Sequence, residues 1–317
     1  MEKQKIKVWA ITGPTASGKS ALALSLAKAV GGEILSCDSM QVYRKMNIGT
    51  AKPTEEEQQA VKHRLIDLVE PTEPFSCADY ARFAADAVRE TAEEGKMPIF
   101  CGGTGLYLDS AIRPARHAAP GENAAIREKL SEFCAENGEA ALHNRLREVD
   151  PASADSIHPN NVKRVIRALE IYEATGKSKT EWDEESRKSE YLYEVCPLSL
   201  AYRDREKLNG RIDRRVDEMF SAGLVREVEE ILSDGGFGET ASQAIGYKEL
   251  IAFFRGECSE NEAKEAIKLN TRRYAKRQVT WFSAKNYPVL YLDEIASVSE
   301  LTEKALGFLQ KPSRIND

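Results

Sequence analysis

A phosphate-binding loop stands near the start of the chain. Its residues follow the GxxxxGK[ST] spacing and lie between a strand-like run, IKVWAIT (residues 6–12), and a helix-like run over residues 21–28. Backbone N–H groups of such a turn point inward at the positive end of a helix, a lysine reaches the outer phosphates, and a hydroxyl binds Mg²⁺. The pattern predicts a di- or triphosphate ligand, with Ser20 as a Mg²⁺ ligand. The predicted loop is Gly13, Pro14, Thr15, Ala16, Ser17, Gly18, Lys19 and Ser20.

A carboxylate follows the next strand-like run, EILSCD (residues 33–38). Asp38 at that end fits a general base or a Mg²⁺ ligand. It also fits a side chain that caps the following turn. The polar residues Ser39, Gln41 and Tyr43 that follow are typical of a recognition loop, which favours a functional role.

A glycine-rich turn, Gly102-Gly-Thr-Gly105, follows the apolar run MPIFC (residues 97–101). Glycines there allow the backbone to approach a ligand closely, with the Thr104 hydroxyl in the cleft. A tight strand-to-helix turn with Thr104 as the N-cap explains the same residues.

Basic clusters contrast with the formal net charge of −6. Lys268, Arg272 and Lys276 are four residues apart on one predicted helix, so they form a basic stripe like that of an RNA-binding face. Ordinary solvated helices carry such charges too, but several clusters on one acidic chain favour a polyanionic partner. The neighbouring and further basic residues are Arg273, Arg277, Lys163, Arg164, Arg167, Arg211, Arg214 and Arg215.

The elements that position these residues alternate between strand and helix over the first hundred residues. After residue 38 come a polar helix from about Thr54, the segment LIDLVE (residues 65–70), a helix from Cys77 to about Glu94, and MPIFC. Alternation predicts an α/β fold with a P-loop NTPase-like parallel sheet flanked by helices. Ligands bind beyond the carboxyl ends of such strands, so the three motifs should converge on one cleft.

The pattern changes beyond about Pro114 to helices over residues 123–137, 139–149 and 160–175. A strand over 191–200 and helices over 204–222, 225–233, 246–255 and 260–282 follow, before a last strand at 289–293. These changes predict a catalytic core of residues 1–115 plus 191–317 and a helical insertion domain of residues 116–190.

The bulk composition is that of an ordinary globular protein. The chain has 317 residues and no apolar run long enough to span a bilayer, so we expect a cytoplasmic protein without a membrane partner, with a monomer as the default. Its cysteines are far apart and lack CxxC pairs, which predicts reduced thiols and no zinc site. They are Cys37, Cys77, Cys101, Cys134, Cys196 and Cys258.

Seven motifs in order closely resemble the tRNA dimethylallyltransferase (tRNA isopentenyltransferase) family: GPTASGKS, DSMQVY, NIGTAKP, GGTGLY, IHPNNVKRVIRALE, QAIGYKE and TRRYAKRQVTWF. The resemblance runs from the P-loop to about Phe282 and points to the bacterial type. It implies transfer of a dimethylallyl group from dimethylallyl diphosphate to N6 of adenosine 37 of tRNA, with the P-loop and Mg²⁺ holding the diphosphate.

The resemblance also implies roles for single residues. Asp38 is the general base, Thr104 lies beside the reacting centre, and Arg215 contacts the diphosphate. The insertion grips the anticodon stem-loop. The predicted tRNA contacts, with two from the basic stripe, are Asp38, Ser39, Met40, Gln41, Thr104, Asn161, Val162, Lys163, Arg164, Val165, Gln243, Ala244, Ile245, Gly246, Tyr247, Lys248, Arg272 and Lys276.

Two segments depart from the family pattern, and three other functions compete. Lys62-His63-Arg64 stands where the family often has two histidines, and residues 109–120 are atypical. A P-loop kinase explains the phosphate loop but leaves the basic clusters unexplained. An enzyme that prenylates free adenine nucleotides has no need of the insertion, and an RNA-binding protein without catalysis has no need of Lys19, Ser20 and Asp38.

Overall fold

The computed structural model describes residues 5–113 and 124–310, without the side chains of residues 186 and 187. The chain divides into two compact units. Unit 1 comprises residues 1–112 and 192–317, and unit 2 comprises residues 113–191. No helix in these ranges is both long and apolar enough to cross a membrane.

Unit 1 contains a six-stranded sheet in which every pair of neighbours is parallel. The spatial order is β3-β2-β4-β1-β5-β6, so β1 lies at the centre, as the predicted α/β fold requires. In register, Ile11 of β1 lies beside Cys101 of β4. The strands are β1 Lys7–Thr12, β2 Gly32–Ser36, β3 His63–Arg64, β4 Met97–Cys101, β5 Glu194–Ala201 and β6 Val289–Tyr291.

Helices flank this sheet in unit 1 and make up unit 2. The helices of unit 1 are α1 Lys19–Val30, α2 Glu55–Ala60, α3 Cys77–Glu93, α4 Gly105–Ile112, α10 Arg205–Ser221, α11 Leu224–Ser233, α12 Tyr247–Phe254, α13 Glu260–Ser283 and α14 Val298–Leu309. Those of unit 2 are α5 Ala124–Asn137, α6 Glu139–Val149, α7 Pro151–Ser156, α8 Val162–Thr175 and α9 Lys179–Lys188.

Alternation along the strands separates the two faces of the sheet. Trp9 and Ile11 of β1 pack with Leu22 and Leu26 of α1 and with Leu301 of α14 in one apolar cluster. Successive strand residues point to opposite faces, so the residues between them face the other side, where α3 packs on β2 and β4. Both faces are covered, which explains why the central strands β1 and β4 are mostly apolar.

Unit 2 has a core of its own. Leu130 of α5, Leu142 and Leu146 of α6, and Val165 and Leu169 of α8 are fully or almost fully buried in one cluster. Apolar residues recur at helical spacing on each of these helices, and packing their apolar faces together stabilises a bundle.

Some elements differ from the sequence prediction. Helices α7, α9 and α14 were not predicted, and β5 begins at Glu194, three residues later than expected. LIDLVE contains no strand, because Leu65 and Asp67 have positive φ angles of 64° and 54° that a strand cannot accommodate.

An ion network stabilises the sheet where β2 and β3 begin. The Glu33 carboxylate is 1% exposed and accepts hydrogen bonds from Arg64 at 2.6 Å and Lys96 at 2.7 Å, with Lys62 at 3.5 Å. Burial alone would raise the pKa of Glu33, but the hydrogen bonds and charges of these cations outweigh it and lower the pKa to about 2. The atypical Lys62-His63-Arg64 segment thus provides cations for a buried carboxylate.

We expect Glu33→Gln to lower the free energy of unfolding by about 2 kcal/mol at pH 7, on the scale of hydrogen bonds to charged groups. Because the folded pKa is depressed, the stabilisation is complete above the ordinary pKa of 4.5 and is lost as pH falls towards 2. Urea unfolding at several pH values should therefore show the two proteins converging below pH 4.5. The exposed Glu56→Gln is the control, and a pH-independent difference would contradict the assignment.

Candidate functional site

A cavity of about 310 Å³ lies in unit 1 beyond the carboxyl ends of β1, β2 and β4. The three motifs predicted to converge all contribute to its wall, because the loops that follow parallel strands emerge at one edge of the sheet. The lining residues from these motifs are Thr15, Lys19 and Ser20, then Asp38, Ser39, Met40 and Gln41, then Gly102 and Gly103.

The rest of the wall comes from segments far away in sequence. Arg215 projects from α10, and Tyr274, Arg277 and Gln278 lie on α13. Five of the other members were predicted tRNA contacts, namely Gln243, Ala244, Ile245, Gly246 and Lys248. Gly49, Thr50 and Ala51 belong to the NIGTAKP motif. No role in the site was predicted for the remaining members, because most carry apolar or small side chains without a chemical signal of their own; they are Cys101, Ile212, Val216, Met219, Ile267 and Thr271.

The phosphate-binding loop presents only part of itself to the cavity. Thr15, Lys19 and Ser20 line it, whereas Gly13, Pro14, Ala16 and Ser17 are buried and Gly18 is the half-buried residue before α1. A Cβ at Gly13, where φ is 135°, would lie 2.4 Å from the carbonyl oxygen of Leu200. The Lys19 ammonium donates to the Pro14 carbonyl at 2.6 Å, which holds it at the loop.

Lys19 and Arg215 line this cavity together with the carboxylate of Asp38. The pKa of Lys19 is lowered to about 8, mainly by burial and also by the charge of Arg215, whereas Cys101 and Asp38 oppose the shift. Burial also lowers the pKa of Arg215, and the charge of Asp38 again opposes it. Lys19 and Arg215 are thus two desolvated cations beside a single carboxylate, an arrangement that favours an anionic ligand.

The side chain of Gln278 joins two of the loops. Its Oε1 accepts the N–H of Thr15 at 2.8 Å, and its Nε2 donates to the carbonyl of Gly103 at 3.0 Å. Gln278 is 5% exposed, so both bonds are shielded from water. Gln278 lies on α13, the helix that carries the basic stripe predicted to contact RNA, so this helix also has a role inside the site.

Asp38 caps its turn and also lines the cavity. Its Oδ1 accepts the N–H of Met40 at 2.9 Å, so the side chain caps the turn, and the residue also lines the cavity. A carboxylate fixed in this way by its own backbone has a defined direction.

Thr104 connects the second and third motifs without lining the cavity. Its Oγ1 accepts the N–H of Ser39 at 3.1 Å and lies 3.4 Å from the Ser39 hydroxyl. The glycines around it serve protein packing more than ligand approach. A Cβ at Gly102 would lie 2.0 Å from the Cys37 carbonyl oxygen, and one at Gly105 would lie 2.1 Å from the indole nitrogen of Trp281.

The predicted basic stripe on α13 is divided in the structure. Lys268 pairs with Asp217 at 3.0 Å and Arg272 with Asp213 at 3.3 Å, so both contact carboxylates of α10. Lys276 is exposed, as are the neighbouring Arg273 and Arg277. The three stripe residues lie on one helix as predicted, but two of them pair with carboxylates of α10.

Two residues predicted to contact tRNA have fully buried side chains. Tyr247 is fully buried and donates its hydroxyl to Glu227 at 2.6 Å, and Val165 is fully buried in the core of unit 2. Neither side chain can reach an external partner in this conformation. The other members of their segments are placed differently: Gln243–Gly246 and Lys248 line the cavity, and Asn161, Lys163 and Arg164 are exposed on unit 2.

Within residues 5–113 and 124–310, no three or more His, Cys, Asp or Glu side chains group together as a metal centre. Ser20 and Asp38, a hydroxyl and a carboxylate, nevertheless line the same cavity. Mg²⁺ is usually held by one or two protein oxygens together with phosphate oxygens of the substrate. The hydroxyl of Ser20 and the carboxylate of Asp38 are suitable oxygen ligands for an Mg²⁺ ion bound in this way.

The chain is similar to known enzymes along nearly its whole length. The family model for IPP transferases matches residues 41–285. A tRNA dimethylallyltransferase of Geobacillus kaustophilus is 44% identical, covering 98% of this chain and 99% of the relative. The structure of a tRNA delta(2)-isopentenylpyrophosphate transferase of Staphylococcus epidermidis gives a TM-score of 0.70 at 38% identity, covering 96% of this chain and 98% of that one. A eukaryotic dimethylallyltransferase acting on tRNA gives 0.80 at 29% identity, covering 95% and 78%.

We expect inorganic diphosphate to bind more weakly as pH rises through about 8, because Lys19 is charged below its pKa and neutral above it. At pH 7 the Lys19→Ala variant should bind diphosphate about tenfold more weakly than wild type, which is the scale of a charge-assisted hydrogen bond. Titration calorimetry at constant Mg²⁺ over a pH series measures both proteins.

Diphosphate also titrates over this pH range, but that affects wild type and Lys19→Ala equally. The ratio of the wild-type affinity to the variant affinity therefore reports the contribution of Lys19 alone. That ratio should shrink above pH 8. A ratio that stayed constant with pH would exclude Lys19 as the titrating group.

Proposed function

This chain belongs to the IPP transferase family, and we propose that it transfers a dimethylallyl group from dimethylallyl diphosphate to N6 of adenosine 37 of tRNA. Its relatives are tRNA dimethylallyltransferases, which indicates that this chain is one too. Such an enzyme transfers a prenyl group and not a phosphoryl group. The observation that carries our assignment of the site is the presence of Lys19, Arg215 and Asp38 in one cavity. The cations fit a departing diphosphate, and the carboxylate fits a proton acceptor.

The phosphate-binding end of the cavity would stabilise the leaving group. When the allylic C–O bond breaks, negative charge accumulates on the diphosphate, and Lys19 and Arg215 are fixed cations that meet it. Both side chains are largely desolvated, so they need little reorganisation when that charge develops. Ser20 would hold Mg²⁺, and the metal would supply further positive charge to the leaving group when bound.

Asp38 would accept the proton that N6 loses. The lone pair of the adenine amino group is delocalised into the ring, so removal of a proton assists its attack on the allylic carbon. The bond from Met40 N–H to Oδ1 fixes the direction of the carboxylate. Thr104 holds the adjacent Ser39 backbone, so it would act on the reacting centre through that loop.

Adenosine 37 must leave the anticodon loop to reach the cavity, as other modified bases do. Ser39, Met40, Gln41 and residues 243–246 and 248 line the same cavity and would surround the flipped base. Asn161, Lys163 and Arg164, with half-buried Val162, would contact the anticodon stem-loop from unit 2. Lys276 and Arg272 stay predicted contacts, and of these two Lys276 is the more exposed.

The proton-acceptor role of Asp38 predicts a loss of rate with little loss of binding. We expect Asp38→Asn and Asp38→Ala both to slow single-turnover transfer from radiolabelled dimethylallyl diphosphate to unmodified tRNA by about 100-fold. Asparagine keeps an oxygen for the Met40 N–H, so a purely structural role would leave Asp38→Asn close to wild type.

Nucleoside analysis of the wild-type reaction tests the function itself. Label should enter N6-dimethylallyladenosine in tRNA, with AMP and ATP as parallel acceptors. Label in AMP or ATP alone would indicate an enzyme of free nucleotides, and phosphorylation of an acceptor by ATP would indicate a kinase.

The division of the basic stripe predicts unequal effects on tRNA binding. Lys276→Ala should reduce the slope of log affinity against log salt concentration by about one, as expected when one phosphate contact is lost. Arg272→Ala should change the slope less, because Asp213 already neutralises part of its charge. Fluorescence anisotropy with labelled tRNA over a salt series measures both slopes.

The exposed Lys28 on α1, nine residues beyond Lys19, supplies the control Lys28→Ala. Unchanged slopes in both α13 variants would remove this helix from the RNA interface.

A further inference from the structure

One motif of the sequence, NIGTAKP, has no role in the proposed chemistry. Its residues Asn47–Pro53, here the 47–53 loop, precede α2 and contribute Gly49, Thr50 and Ala51 to the cavity wall. The loop is polar and irregular, and Ala51 has a positive φ of 47°. Interactions from outside the loop must therefore hold it in place.

The main interaction is a buried carboxylate from α11. Glu227 is 9% exposed, and its Oε2 accepts the N–H groups of Asn47 at 3.0 Å and Ile48 at 2.7 Å. Its Oε1 accepts the N–H of Gly49 at 3.2 Å and the hydroxyl of Tyr247 at 2.6 Å. Three successive backbone N–H groups that converge on one anion form a nest, and here the anion is the protein's own side chain.

Two further contacts restrict the loop. A Cβ at Gly49 would lie 2.5 Å from the ring of Tyr247, so the loop backbone lies directly against that ring. The Lys52 ammonium, whose side chain is 3% exposed, pairs with Asp67 at 2.6 Å and donates to the carbonyl of Tyr43 at 2.9 Å. Glu227 fixes the first half of the loop, and Lys52 fixes the second.

The loop in turn holds Gln41. The Gln41 Nε2 donates to the carbonyls of Thr50 at 3.2 Å and Ala51 at 3.1 Å, and its Oε1 accepts the hydroxyl of Ser36 at 2.7 Å. Gln41 lies on the turn that begins at Asp38 and lines the same cavity. A displacement of the loop would therefore displace Gln41. The side-chain hydrogen bonds of Glu227 described above go to the loop and to Tyr247, whereas Lys19 and Arg215 lie on α1 and α10.

We propose that Glu227 is a positioning residue for the acceptor: through the 47–53 loop it fixes Gln41, and with it the wall that receives the adenine. The inference rests on the proposed function, because the adenine is the acceptor only if the enzyme modifies tRNA. Glu227 itself contacts backbone N–H groups and Tyr247 and touches no reacting atom.

Glu227→Gln tests the proposal at constant side-chain size. An amide nitrogen cannot accept, so in either orientation at least one backbone N–H of the loop loses its partner. We expect the KM for tRNA to rise about tenfold, on the scale of a lost hydrogen bond to a charged group, while the KM for dimethylallyl diphosphate changes by less than about twofold. Glu229→Gln, on the exposed side of α11, is the matched control.

A double-mutant cycle with Gln41→Ala tests the route. If Glu227 acts through Gln41, the effect of Glu227→Gln on the KM for tRNA should fall below about threefold in the Gln41→Ala background. Tyr247→Phe, which keeps the ring but removes one donor to Glu227, should raise the same KM by a smaller factor. This milder variant provides the test if Glu227→Gln does not fold.

The outcomes are distinct. An equal rise in both KM values, an additive cycle, or a lower melting temperature with unchanged KM for tRNA would each show a purely structural role and overturn the proposal. The wild type is assayed alongside, and its failure to modify tRNA would instead refute the proposed function. Retained activity of wild type and Glu229→Gln, with the expected split in Glu227→Gln, would support the inference.

Discussion

The site depends on the close approach of three loops at one edge of the parallel sheet. Backbone hydrogen bonds join the second and third loops directly: Cys37 N–H donates to the Cys101 carbonyl, and Thr104 N–H donates to the Cys37 carbonyl at 3.2 Å. A side chain at Gly102 would lie 2.0 Å from the Cys37 carbonyl oxygen, and one at Gly13 would lie 2.4 Å from the Leu200 carbonyl oxygen of β5. The glycines therefore permit contact between protein segments first, and the cavity follows from that contact.

Buried polar side chains then give each loop one position. Gln278 joins the phosphate-binding loop to the Gly103 carbonyl, Thr104 joins its own loop to Ser39, and Glu227 holds the 47–53 loop. A buried polar group without a partner costs more free energy than a satisfied one contributes, so such bonds select a conformation more than they add stability. Lys19 and Arg215 differ from these side chains: they are desolvated cations beside one carboxylate, and an anionic substrate would complete their neutralisation.

Residues of the same type have different structural roles in this chain, depending on their neighbours. Glu33 and Glu227 are both buried glutamates, yet Glu33 is surrounded by Arg64, Lys62 and Lys96, whereas Glu227 accepts backbone N–H groups and a tyrosine hydroxyl. Arg272 and Lys276 lie one helical turn apart, and only Arg272 pairs with a carboxylate of α10. In each case the neighbours come from segments distant in sequence, and those neighbours decide the role.

The sequence by itself determined the parallel α/β sheet, the phosphate-binding loop and the convergence of Lys19, Asp38 and Gly102 on one edge, because alternation and local motifs depend on residues close together in the chain. It also indicated the family, because seven family motifs occur in order along the chain. Only the tertiary structure decided that Tyr247 is buried, that Lys268 and Arg272 pair across to α10, and that Gln278 and Glu227 hold loops of the site. These roles depend on contacts between residues some 50 to 260 positions apart, and no local pattern records such a contact.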